Sequence, residues 1–449
     1  MEKHLPRLLI AGTNSGCGKT TVVCAVLQAL KARGEALASF KCGPDYIDPM
    51  FHRGVLGLPC RNLDLQLFGE NTLRYLLSQG EGTAIIEGVM GYYDGIGISR
   101  EASSYAIAKA AAAPTVLVVN ARGASHSLLA TLSGFYGLCP DSFIRGVILN
   151  NCSPMLYPRL KELIVSHFGD ALRPLGFLPP LPECAFESRR LGLISAEEMA
   201  DLQKKLRLLG ENAEKYMDLD GLLFLAESAP ALCWEEPALP PPGSPVRLAV
   251  AQDEAFCFVY EDNLRLLTQL GAELVPFSPL RDTALPENIQ GLYLPGGYPE
   301  LHTEALAKNE TMRASIRRAL EGGLPCVAEC GGFLYLQETL QGYPMVGFLK
   351  GRGFDTGHLV RFGYATLTAN RDSMLLAQGE SLNVHEFHYY DVDDPGDGFT
   401  AKKASGMAWT CGVVSDTLYA GFPHLHFYAK PELAARFLDR CRRAGKDAI

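Results

Sequence analysis

The sequence predicts an α/β protein in which two successive domains each contain a parallel sheet covered by helices. Short apolar segments of strand length alternate with helical patterns in both halves of the chain, which is typical of parallel sheets. In the first half, the predicted strands are residues 7–11, 84–87, 115–120 and 146–150, and a helical pattern covers residues 20–32. In the second half, they are residues 246–251, 291–294 and 326–329, and a helical pattern covers residues 261–270.

The length of the chain and one break in its composition predict where the domains lie. A chain of 449 residues fits two or three domains of roughly 150 residues each. Residues 235–246, EEPALPPPGSPV, contain five prolines and cannot continue a helix or a central strand. We therefore expect domains at residues 1–234 and 247–449, joined by a proline-rich linker at residues 235–246.

The overall composition excludes several functional classes. A net charge of -9 and a pI near 5.7 argue against nucleic acid as a partner. The sequence has neither the apolar region of a secretory signal nor an apolar run of the roughly 20 residues needed to span a bilayer. Thirteen cysteines without a Cys-x-x-Cys pair indicate reduced thiols. We expect no membrane partner and a cytoplasmic location.

Residues 11–21, AGTNSGCGKTT, have the composition and position of a phosphate-binding loop. They lie between a predicted strand and a predicted helix, where backbone amides and the helix amino terminus can bind phosphate. Lys19 would contact the β- and γ-phosphates of ATP and Thr20 would bind Mg²⁺, although Thr13 replaces the usual first glycine. A glycine-rich turn with an exposed lysine is the alternative. The residues expected to bind ATP are Thr13, Asn14, Gly16, Gly18, Lys19, Thr20 and Thr21, together with Asn150 further along the chain.

Carboxylates near two predicted strand ends could complete a magnesium site. Glu87 ends an apolar segment, and the carboxyl ends of parallel strands form a ligand crevice. Asp45, Asp48 and Asp94 lie beside Gly and Pro, so a turn-forming role is the favoured interpretation of each one taken alone. Asn150, at the end of GVILNN, could bind an adenine edge or cap a turn. Both interpretations of Asn150 stay open.

In the second half, Cys330 lies at a predicted strand-to-helix junction and resembles a nucleophile elbow. A helix amino terminus is expected to lower the pKa of its thiol. The segment GFPHLHF offers His424 or His426 as a base, and the amides of Gly297 and Gly331 could form an oxyanion hole. The segment HEFHYY at residues 385–390 could border this site or form a half-buried strand.

Taken together, these motifs resemble the cobyrinic acid a,c-diamide synthase family over essentially the whole chain. The matching segments are GTNSGCGKTT, KCGPDYIDPMFH, EGVMGYYDG, GVILNN, LPGGYPELH, ECGGFLYL, HEFH and HLHF, in that order. The first half also resembles dethiobiotin synthetase, and the second resembles class I glutamine amidotransferase domains. The resemblance implies a P-loop synthetase domain followed by a flavodoxin-like amidotransferase domain.

The resemblance also implies an activity: ATP-dependent amidation of the a and c carboxylates of a corrin ring, with L-glutamine as nitrogen donor. It assigns Mg²⁺ to Thr20, Asp45 and Glu87, and the corrinoid substrate to the vicinity of Asp45, Tyr46 and Asp94. It leaves a homodimer open as the assembly. The alternatives are an enzyme for hydrogenobyrinic acid or nickel-sirohydrochlorin, and, from another class, a P-loop switch ATPase with a glutamine-sensing module.

Three positions differ from the pattern expected of this family. Related amidotransferases have a His-x-Glu pair, which makes His424 the base here, but His426 replaces the glutamate. Asn120 replaces a common Asp, and Arg190 replaces a common His. The role of His426 is therefore the open question in the predicted site.

Overall fold

The computed structural model describes residues 1–184 and 196–447, which separate into two units, Met1–Pro237 and Ala238–Ile449. Residues 234–245 contain no helix or strand, as their prolines require.

None of the helices in the described ranges is both long and apolar enough to cross a membrane. All thirteen cysteines lie in these ranges as thiols.

The described part of the first unit contains nine strands. Seven form one sheet in the order β4-β3-β5-β2-β6-β7-β8, and all neighbouring pairs in it are parallel. The remaining two strands, β1 and β9, pair with each other in antiparallel fashion. The strands are β1 (Glu2–Lys3), β2 (Arg7–Gly12), β3 (Leu37–Cys42), β4 (Cys60–Leu63), β5 (Thr83–Gly91), β6 (Thr115–Asn120), β7 (Ile144–Asn150), β8 (Arg173–Leu178) and β9 (Leu232–Cys233).

Helices connect the parallel strands of this unit, because a crossover is needed to return the chain to the same edge of the sheet. The first helix, α1, follows β2 directly and is almost completely buried on its apolar side by α7 and the sheet. The helices are α1 (Lys19–Ala32), α2 (Ile47–Phe51), α3 (Glu70–Ser78), α4 (Ser104–Ala111), α5 (Ser127–Gly137), α6 (Tyr157–Phe168), α7 (Ala196–Tyr216) and α8 (Leu219–Glu227).

The described part of the second unit has a parallel sheet with an antiparallel edge and two further sheets. The first has the order β11-β10-β12-β13-β23-β22, and its five parallel strands follow the flavodoxin-like order 2-1-3-4-5. Its strands are β10 (Val246–Ala251), β11 (Ala272–Phe277), β12 (Gly291–Leu294), β13 (Cys326–Glu329), β22 (Val413–Val414) and β23 (Leu418–Gly421).

The two further sheets of the second unit lie between β13 and β23 in the sequence. Their strands are β14 (Thr339–Leu340), β15 (Tyr343–Pro344), β16 (Arg352–Asp355), β17 (Arg361–Ala369), β18 (Ser381–His388), β19 (Tyr390–Val392), β20 (Phe399–Lys402) and β21 (Ala408–Cys411). The helices of this unit are α9 (Glu261–Gln269), α10 (Thr303–Lys308), α11 (Glu310–Glu321), α12 (Gly331–Leu336) and α13 (Glu432–Asp447). Of these eight strands, the end of β18 and the first residue of β19 fall in a segment considered above, HEFHYY.

All seven predicted strand segments are strands in the structure. The largest difference is in β5, which continues to Gly91 instead of ending at Glu87. A register shift in its pairing with β2 allows Gly91 to pair with Gly12. The extension carries the chain alongside the phosphate-binding loop, which follows Gly12.

Arg7 is a fully buried charged residue at the start of β2. Its guanidinium donates hydrogen bonds to the carbonyl oxygens of Leu5 (3.0 Å), Ala111 (2.6 Å) and Ala112 (3.3 Å). Ala111 ends α4, so Arg7 supplies donors to carbonyls that have no partner within the helix. Burial lowers the pKa of Arg7 to about 10, and the group stays charged at neutral pH.

Replacing Arg7 should destabilise the first unit because it leaves these buried carbonyls without a donor. We expect Arg7→Ala to lower the free energy of unfolding by about 2–4 kcal/mol. Urea unfolding of the full chain followed by Trp234 fluorescence, in a Trp409→Phe background, would measure this unit. The matched control is Arg33→Ala, which removes two exposed ion pairs, with Glu214 and Asp220, and should cost about 0–1 kcal/mol. Equal losses in both variants would contradict the prediction.

Candidate active sites

The phosphate-binding loop lies where the sheet of the first unit changes direction, since β5 is on one side of β2 and β6 on the other. Such switch points form ligand crevices at the carboxyl ends of the strands. Gly16 and Gly18 have φ angles of 81° and 89°, which glycine adopts at little cost. Lys19 begins α1, whose first amides have no partner inside the helix. The loop therefore has the backbone conformation of an anion-binding site.

The side chains at the start of this loop are more exposed than those at its end. The Thr13 hydroxyl donates to Asn14 Oδ1 at 2.9 Å, while the Thr13 amide donates to Val118 of β6 at 3.2 Å. Thr20 is buried and Thr21 is half-buried in the first turn of α1. The loop is thus tied to β6 at its start and to the helix at its end.

Asn150, at the end of β7, supports the loop directly. Its Nδ2 donates to the Cys17 carbonyl at 2.9 Å. A Cβ atom on Gly18 would lie 1.9 Å from the same nitrogen, so glycine is required there. The structure therefore gives Asn150 a role in holding the loop, and a contact with adenine stays a prediction.

Lys19 extends along the loop toward the end of β5. Its Nζ donates to the Met90 carbonyl at 3.3 Å. Met90 has a φ of 47°, a left-handed conformation that non-glycine residues rarely adopt and that is found at functional sites. Burial and the positive charge of Lys41 lower the pKa of Lys19. The ammonium group of Lys19 therefore lies beside the loop, where its charge would stabilise a bound phosphate.

Glu87 is the centre of a buried charged cluster beside the loop. Thr20 Oγ1 donates to Glu87 Oε1 at 2.7 Å, so two of the three predicted magnesium ligands do lie together. Lys41 Nζ is 3.2 Å from the same carboxylate oxygen, and His52 Nε2 is 3.2 Å from the other. Lys41 is the β3 residue that pairs with Glu87 in the sheet register.

Asp45 is connected to this cluster through Lys41. Lys41 Nζ contacts the Asp48 carboxylate, lies 3.9 Å from Asp45 Oδ2 and donates to the Gly88 carbonyl at 3.2 Å. Lys41 is 3% exposed, so its charge is compensated by these groups instead of by water. The three acidic residues Asp45, Asp48 and Glu87 thus surround one ammonium group.

The pKa values of this cluster follow from its mutual contacts. Burial alone would raise the pKa of Glu87, but Lys41 and His52 outweigh it and the net pKa lies well below its ordinary range. Burial alone would lower the pKa of Lys41, but Glu87 and Asp48 hold it above its ordinary value. Burial and the charge of Asp48 raise the pKa of Asp45 to about 6. Glu87 and Lys41 are therefore both charged at neutral pH.

The donor atoms of this cluster fit Mg²⁺. Thr20, Asp45 and Glu87 present hydroxyl and carboxylate oxygens, the class of ligand that this ion takes. Within the described part of the chain, no three His, Cys, Asp or Glu side chains converge closely enough to hold a metal by themselves. A magnesium ion bound here would take phosphate oxygens as further ligands, as is usual for Mg²⁺ with nucleotides.

The residues predicted to contact substrate follow two neighbouring strands, β3 and β5. Asp45 Oδ1 accepts from the Ile47 amide at 2.8 Å at the start of α2, and Tyr46 is buried. Asp94 is exposed, and its Oδ2 accepts from the Gly91 amide at 3.1 Å. Both carboxylates therefore close turns in this state, and their contacts with substrate stay predictions.

Sequence reasoning missed Lys41 and His52 as members of this site. A lysine inside the apolar strand LASFKC was the available signal, because a buried lysine requires carboxylate partners. His52 begins a π-helical turn, His52–Leu56, and is fully buried with Nδ1 2.7 Å from Ser39 Oγ. The π-turn, often found at functional sites, was not readable from the sequence.

Cys330 lies on a strained turn between β13 and α12, as predicted. Its φ and ψ angles of 48° and -99° are unusual for a residue with a side chain, which is the signature of a nucleophile elbow. Its amide donates to the Gly421 carbonyl of the neighbouring strand β23 at 2.7 Å. The sheet thus fixes the backbone that carries the sulfur.

The predicted lowering of the Cys330 thiol pKa is wrong for this structure. The side chain is 7% exposed, and burial, together with the charge of Glu300, raises its pKa well above the ordinary value. The α12 helix has only six residues, and its amino terminus does not outweigh this burial. Burial also lowers the pKa of His424 to about 3. The resting pair is therefore a neutral thiol and a neutral imidazole.

Gly296 shows how closely Cys330 and His424 approach each other. A Cβ atom on Gly296 would lie 2.6 Å from His424 Cε1 and 3.5 Å from Cys330 Cβ. Both side chains therefore line the same small space, which residue 296 leaves open by lacking a side chain. His424 is 2% exposed, so the imidazole has little room to move away.

The two glycines predicted to supply oxyanion donors lie against each other, and Gly331 directly follows Cys330. A Cβ atom on Gly331 would lie 2.9 Å from the Gly297 nitrogen, so the two glycines are in direct contact. The Gly331 amide donates toward the Cys330 sulfur. At Gly297, a side chain would meet the Ala255 carbonyl at 2.1 Å, which makes glycine necessary. The Gly297 amide therefore lies next to Gly331, the residue after Cys330, and a role of both amides as oxyanion donors stays a prediction.

The segment that carries His424 is held by backbone contacts on both sides. The His424 amide donates to the His385 carbonyl of β18 at 2.9 Å. The buried Asn263 side chain donates to the Leu425 carbonyl and accepts from the Phe427 amide, both at 2.7 Å. The HEFHYY strand therefore does border the site.

His426 is buried next to aromatic rings. Its ring centroid is 4.7 Å from that of Tyr260 and 6.3 Å from that of Tyr428. Burial lowers its pKa to about 3. The His426 ring is therefore neutral and packs in the core beside the Cys330 site.

Two positions where the sequence departs from the family pattern can be compared with the structure. Asn120 ends β6, and its Oδ1 accepts from the Arg122 amide at 3.1 Å and from Asn151 Nδ2 at 3.2 Å. It therefore closes a turn near the nucleotide loop. Arg190 lies outside the described residues.

The close approach at Gly296 leads to a prediction. The added methyl group of Gly296→Ala would displace His424, and misplacement of a catalytic group by about 1 Å can cost about 100-fold in rate. We expect a loss of at least about 10-fold in glutamine hydrolysis, measured as glutamate release. Gly322→Ala, whose methyl group would have its nearest contacts at 3.3 and 3.4 Å, is the control and should keep normal activity. Normal glutamine hydrolysis by Gly296→Ala would contradict this interpretation.

Comparisons with known proteins agree with both halves of the chain. Residues 8–228 match the CobQ/CobB/MinD/ParA nucleotide binding domain, and residues 247–432 match the CobB/CobQ-like glutamine amidotransferase domain. These ranges contain the phosphate-binding loop and the Cys330 site, respectively.

Curated relatives match the chain over nearly its full length. Cobyrinate a,c-diamide synthase of Clostridium acetobutylicum is 39% identical over 94% of this chain and 97% of its own. The Clostridium tetani protein of the same name is 37% identical over 96% and 99%, and that of Salmonella typhimurium is 37% identical over 97% and 98%. With both sites present and relatives that match end to end, the chain belongs to the cobyrinate a,c-diamide synthase family.

Proposed function

We propose that the chain is an ATP-dependent, glutamine-hydrolysing ligase that converts the a and c side-chain carboxylates of cobyrinic acid to amides. The observation that carries this proposal is the presence of two distinct reaction centres in one chain. One is a phosphate loop beside the buried Lys41–Glu87 cluster, and the other is a strained Cys330 beside His424. Amide formation from a carboxylic acid needs both an activated acyl group and a source of ammonia.

The first centre has the groups needed to activate a carboxylate. A carboxylate resists ammonia because oxide is a poor leaving group, and phosphoryl transfer from ATP converts it to an acyl phosphate. Lys19 and the loop amides stabilise the charge on the transferred phosphoryl group. Thr20, Asp45 and Glu87 are the residues that would hold Mg²⁺. When bound, Mg²⁺ neutralises phosphate charge and orients the phosphoryl group. Asp45, Tyr46 and Asp94 are proposed to contact the corrinoid.

The second centre has the groups needed to release ammonia from glutamine. The Cys330 sulfur attacks the side-chain amide as its proton passes to His424, and the amides of Gly297 and Gly331 stabilise the oxyanion. His424 then gives this proton to the leaving nitrogen, which departs as ammonia. Water hydrolyses the remaining γ-glutamyl thioester to glutamate. Each amidated carboxylate consumes one ATP and one glutamine.

The substrate could be another tetrapyrrole with the same acidic side chains. Hydrogenobyrinic acid and nickel-sirohydrochlorin are the two alternatives, and the names of the relatives favour cobyrinic acid. Incubation with ATP, glutamine and each of the three compounds, with mass detection of the products, distinguishes them. Amidation of hydrogenobyrinic acid or nickel-sirohydrochlorin alone would reject the cobalt substrate.

The cellular location and the assembly are also proposals. ATP and glutamine are both cytoplasmic substrates, so the cytoplasm is the proposed location. A homodimer is the proposed assembly, and light scattering of the purified protein tests it.

The division of labour between the two centres predicts the behaviour of Cys330→Ala. This variant should lose glutamine-dependent synthesis and keep ammonia-dependent synthesis near the parent rate, because free ammonia bypasses the thioester. The measurement is amide formation with each nitrogen source. Cys326→Ala, which removes a buried thiol at the other end of β13, is the control and should keep both activities. Loss of both activities in Cys330→Ala alone would contradict the division.

The magnesium assignment predicts the behaviour of Glu87→Gln. The variant removes the carboxylate that faces Thr20 and Lys41, and we expect synthesis to fall by about 100-fold or more with either nitrogen source. Glutamine hydrolysis should persist, because it does not require this group. Glu81→Gln, exposed just before the same strand β5, is the control. Normal synthesis rates in Glu87→Gln would refute the assignment.

A further inference from the structure

The Glu329 carboxyl lies on the Nδ1 side of the His424 imidazole. Glu329 Oε2 is 3.6 Å from His424 Nδ1, and both side chains are at most 2% exposed. This distance is longer than a hydrogen bond, as is common for catalytic pairs before substrate binds. Glu329 is also the residue directly before Cys330, so nucleophile and carboxyl share one strand end.

A histidine that acts as a base needs a group that fixes its ring and its tautomer. The His-x-Glu pair of related amidotransferases would put that group two residues after His424, where this chain has His426. The ring of His426 packs against Tyr260 at 4.7 Å between centroids, and burial lowers its pKa to about 3. A neutral imidazole in this position carries no negative charge to stabilise a protonated His424.

The Glu329 side chain is held in place by two donors. The Leu425 amide donates to Oε1 at 3.3 Å, and the Tyr293 hydroxyl donates to Oε2 at 3.4 Å. Leu425 directly follows His424, so the carboxyl is tied to the segment that carries the base. These contacts orient one carboxyl oxygen toward Nδ1 of the imidazole.

We propose that Glu329 is the positioning residue of His424 and replaces the missing glutamate of the triad. This inference rests on the proposed glutamine hydrolysis. The Glu329 carboxylate accepts the Nδ1–H bond, which leaves Nε2 free to take the thiol proton as the Cys330 sulfur bonds to the amide carbon. It then stabilises the imidazolium until that proton passes to the departing ammonia. Glu329 itself gains and loses no proton in the cycle.

Glu386 of β18 is a second buried carboxyl near this site. It is 1% exposed, and its Oε2 is 3.7 Å from His388 Nε2. His388 in turn stacks on Phe422 with ring centroids 3.9 Å apart. Glu386 faces His388, and its charge also acts on His424, whereas Glu329 lies 3.6 Å from His424 Nδ1. The Glu386→Gln variant is therefore the comparison that separates a general effect of a buried charge from the Glu329 contact.

The pH dependence gives a signature that a purely structural role would not produce. Burial raises the pKa of Glu329 to about 8, so its carboxylate form, which accepts the Nδ1–H bond, increases as pH rises through that value. Tyr293 of β12, Tyr419 of β23, Cys330 and His424 also face Glu329. Burial raises the pKa of the tyrosines and the thiol, and lowers that of His424 to about 3, so these groups do not titrate near pH 8.

The first experiment measures glutamine hydrolysis by the full-length protein. We expect Glu329→Gln to lower kcat by about 100-fold or more, with the KM for glutamine changed by less than about threefold. The rise of kcat/KM through about pH 8 should disappear in Glu329→Gln and persist in Glu329→Asp, which keeps a carboxylate. Parent-like rates or an unchanged pH profile in Glu329→Gln would overturn the proposal.

The second experiment uses labelling of Cys330 by 6-diazo-5-oxonorleucine, a glutamine analogue, followed by mass spectrometry. If Glu329 acts through His424, Glu329→Gln lowers the labelling rate of the parent protein. The same substitution added to His424→Ala then has no further effect on that rate. The proposal would be overturned if Glu329→Gln slowed labelling by the same factor in His424→Ala as in the parent. It would also be overturned if Glu386→Gln, and not Glu329→Gln, slowed labelling only when His424 is present. Absence of glutamine hydrolysis in the parent protein would instead reject the proposed function.

Discussion

Parallel strands that end at the same edge of a sheet are the constraint on which both centres depend. In the first unit, this geometry places the loop after β2 between the ends of β5 and β6, with β3 and β7 one strand further out on either side. Thr20 and Glu87 are 67 positions apart in the sequence, yet their side chains share a hydrogen bond. In the second unit, the ends of β12, β13 and β23 meet in the same way. The positions of both candidate centres therefore follow from sheet topology before any side chain is considered.

The two centres differ in the charge state of their buried polar groups. The first buries ionised groups and compensates them mutually, with Lys41 between Glu87 and Asp48. Such a cluster costs desolvation free energy and is held by complete pairing. The second holds Cys330 and His424 in their neutral forms, since burial disfavours both charged forms. In the proposed mechanism, charge develops there only during proton transfer, where fixed donors can stabilise it.

Close backbone approach is the second requirement that the two centres share. Residue 18 contacts Asn150, residue 296 contacts His424, and residue 297 contacts the Ala255 carbonyl at distances that exclude a Cβ atom. Without side chains at these positions, backbone amides can reach a phosphate or an oxyanion. The glycine-rich motifs of the sequence are thus packing requirements as well as flexible turns.

The sequence by itself determined the two-part α/β organisation, all seven predicted strand segments, and the positions of Lys19 and Cys330, because these depend on local periodicity and on short motifs. The tertiary structure decided which distant groups meet. It added Lys41 and His52 to the first centre, placed Glu329 behind His424, and showed that burial raises the thiol pKa of Cys330 instead of lowering it. The physical reason is that burial and pairing depend on contacts between residues far apart in the chain, which local patterns do not encode.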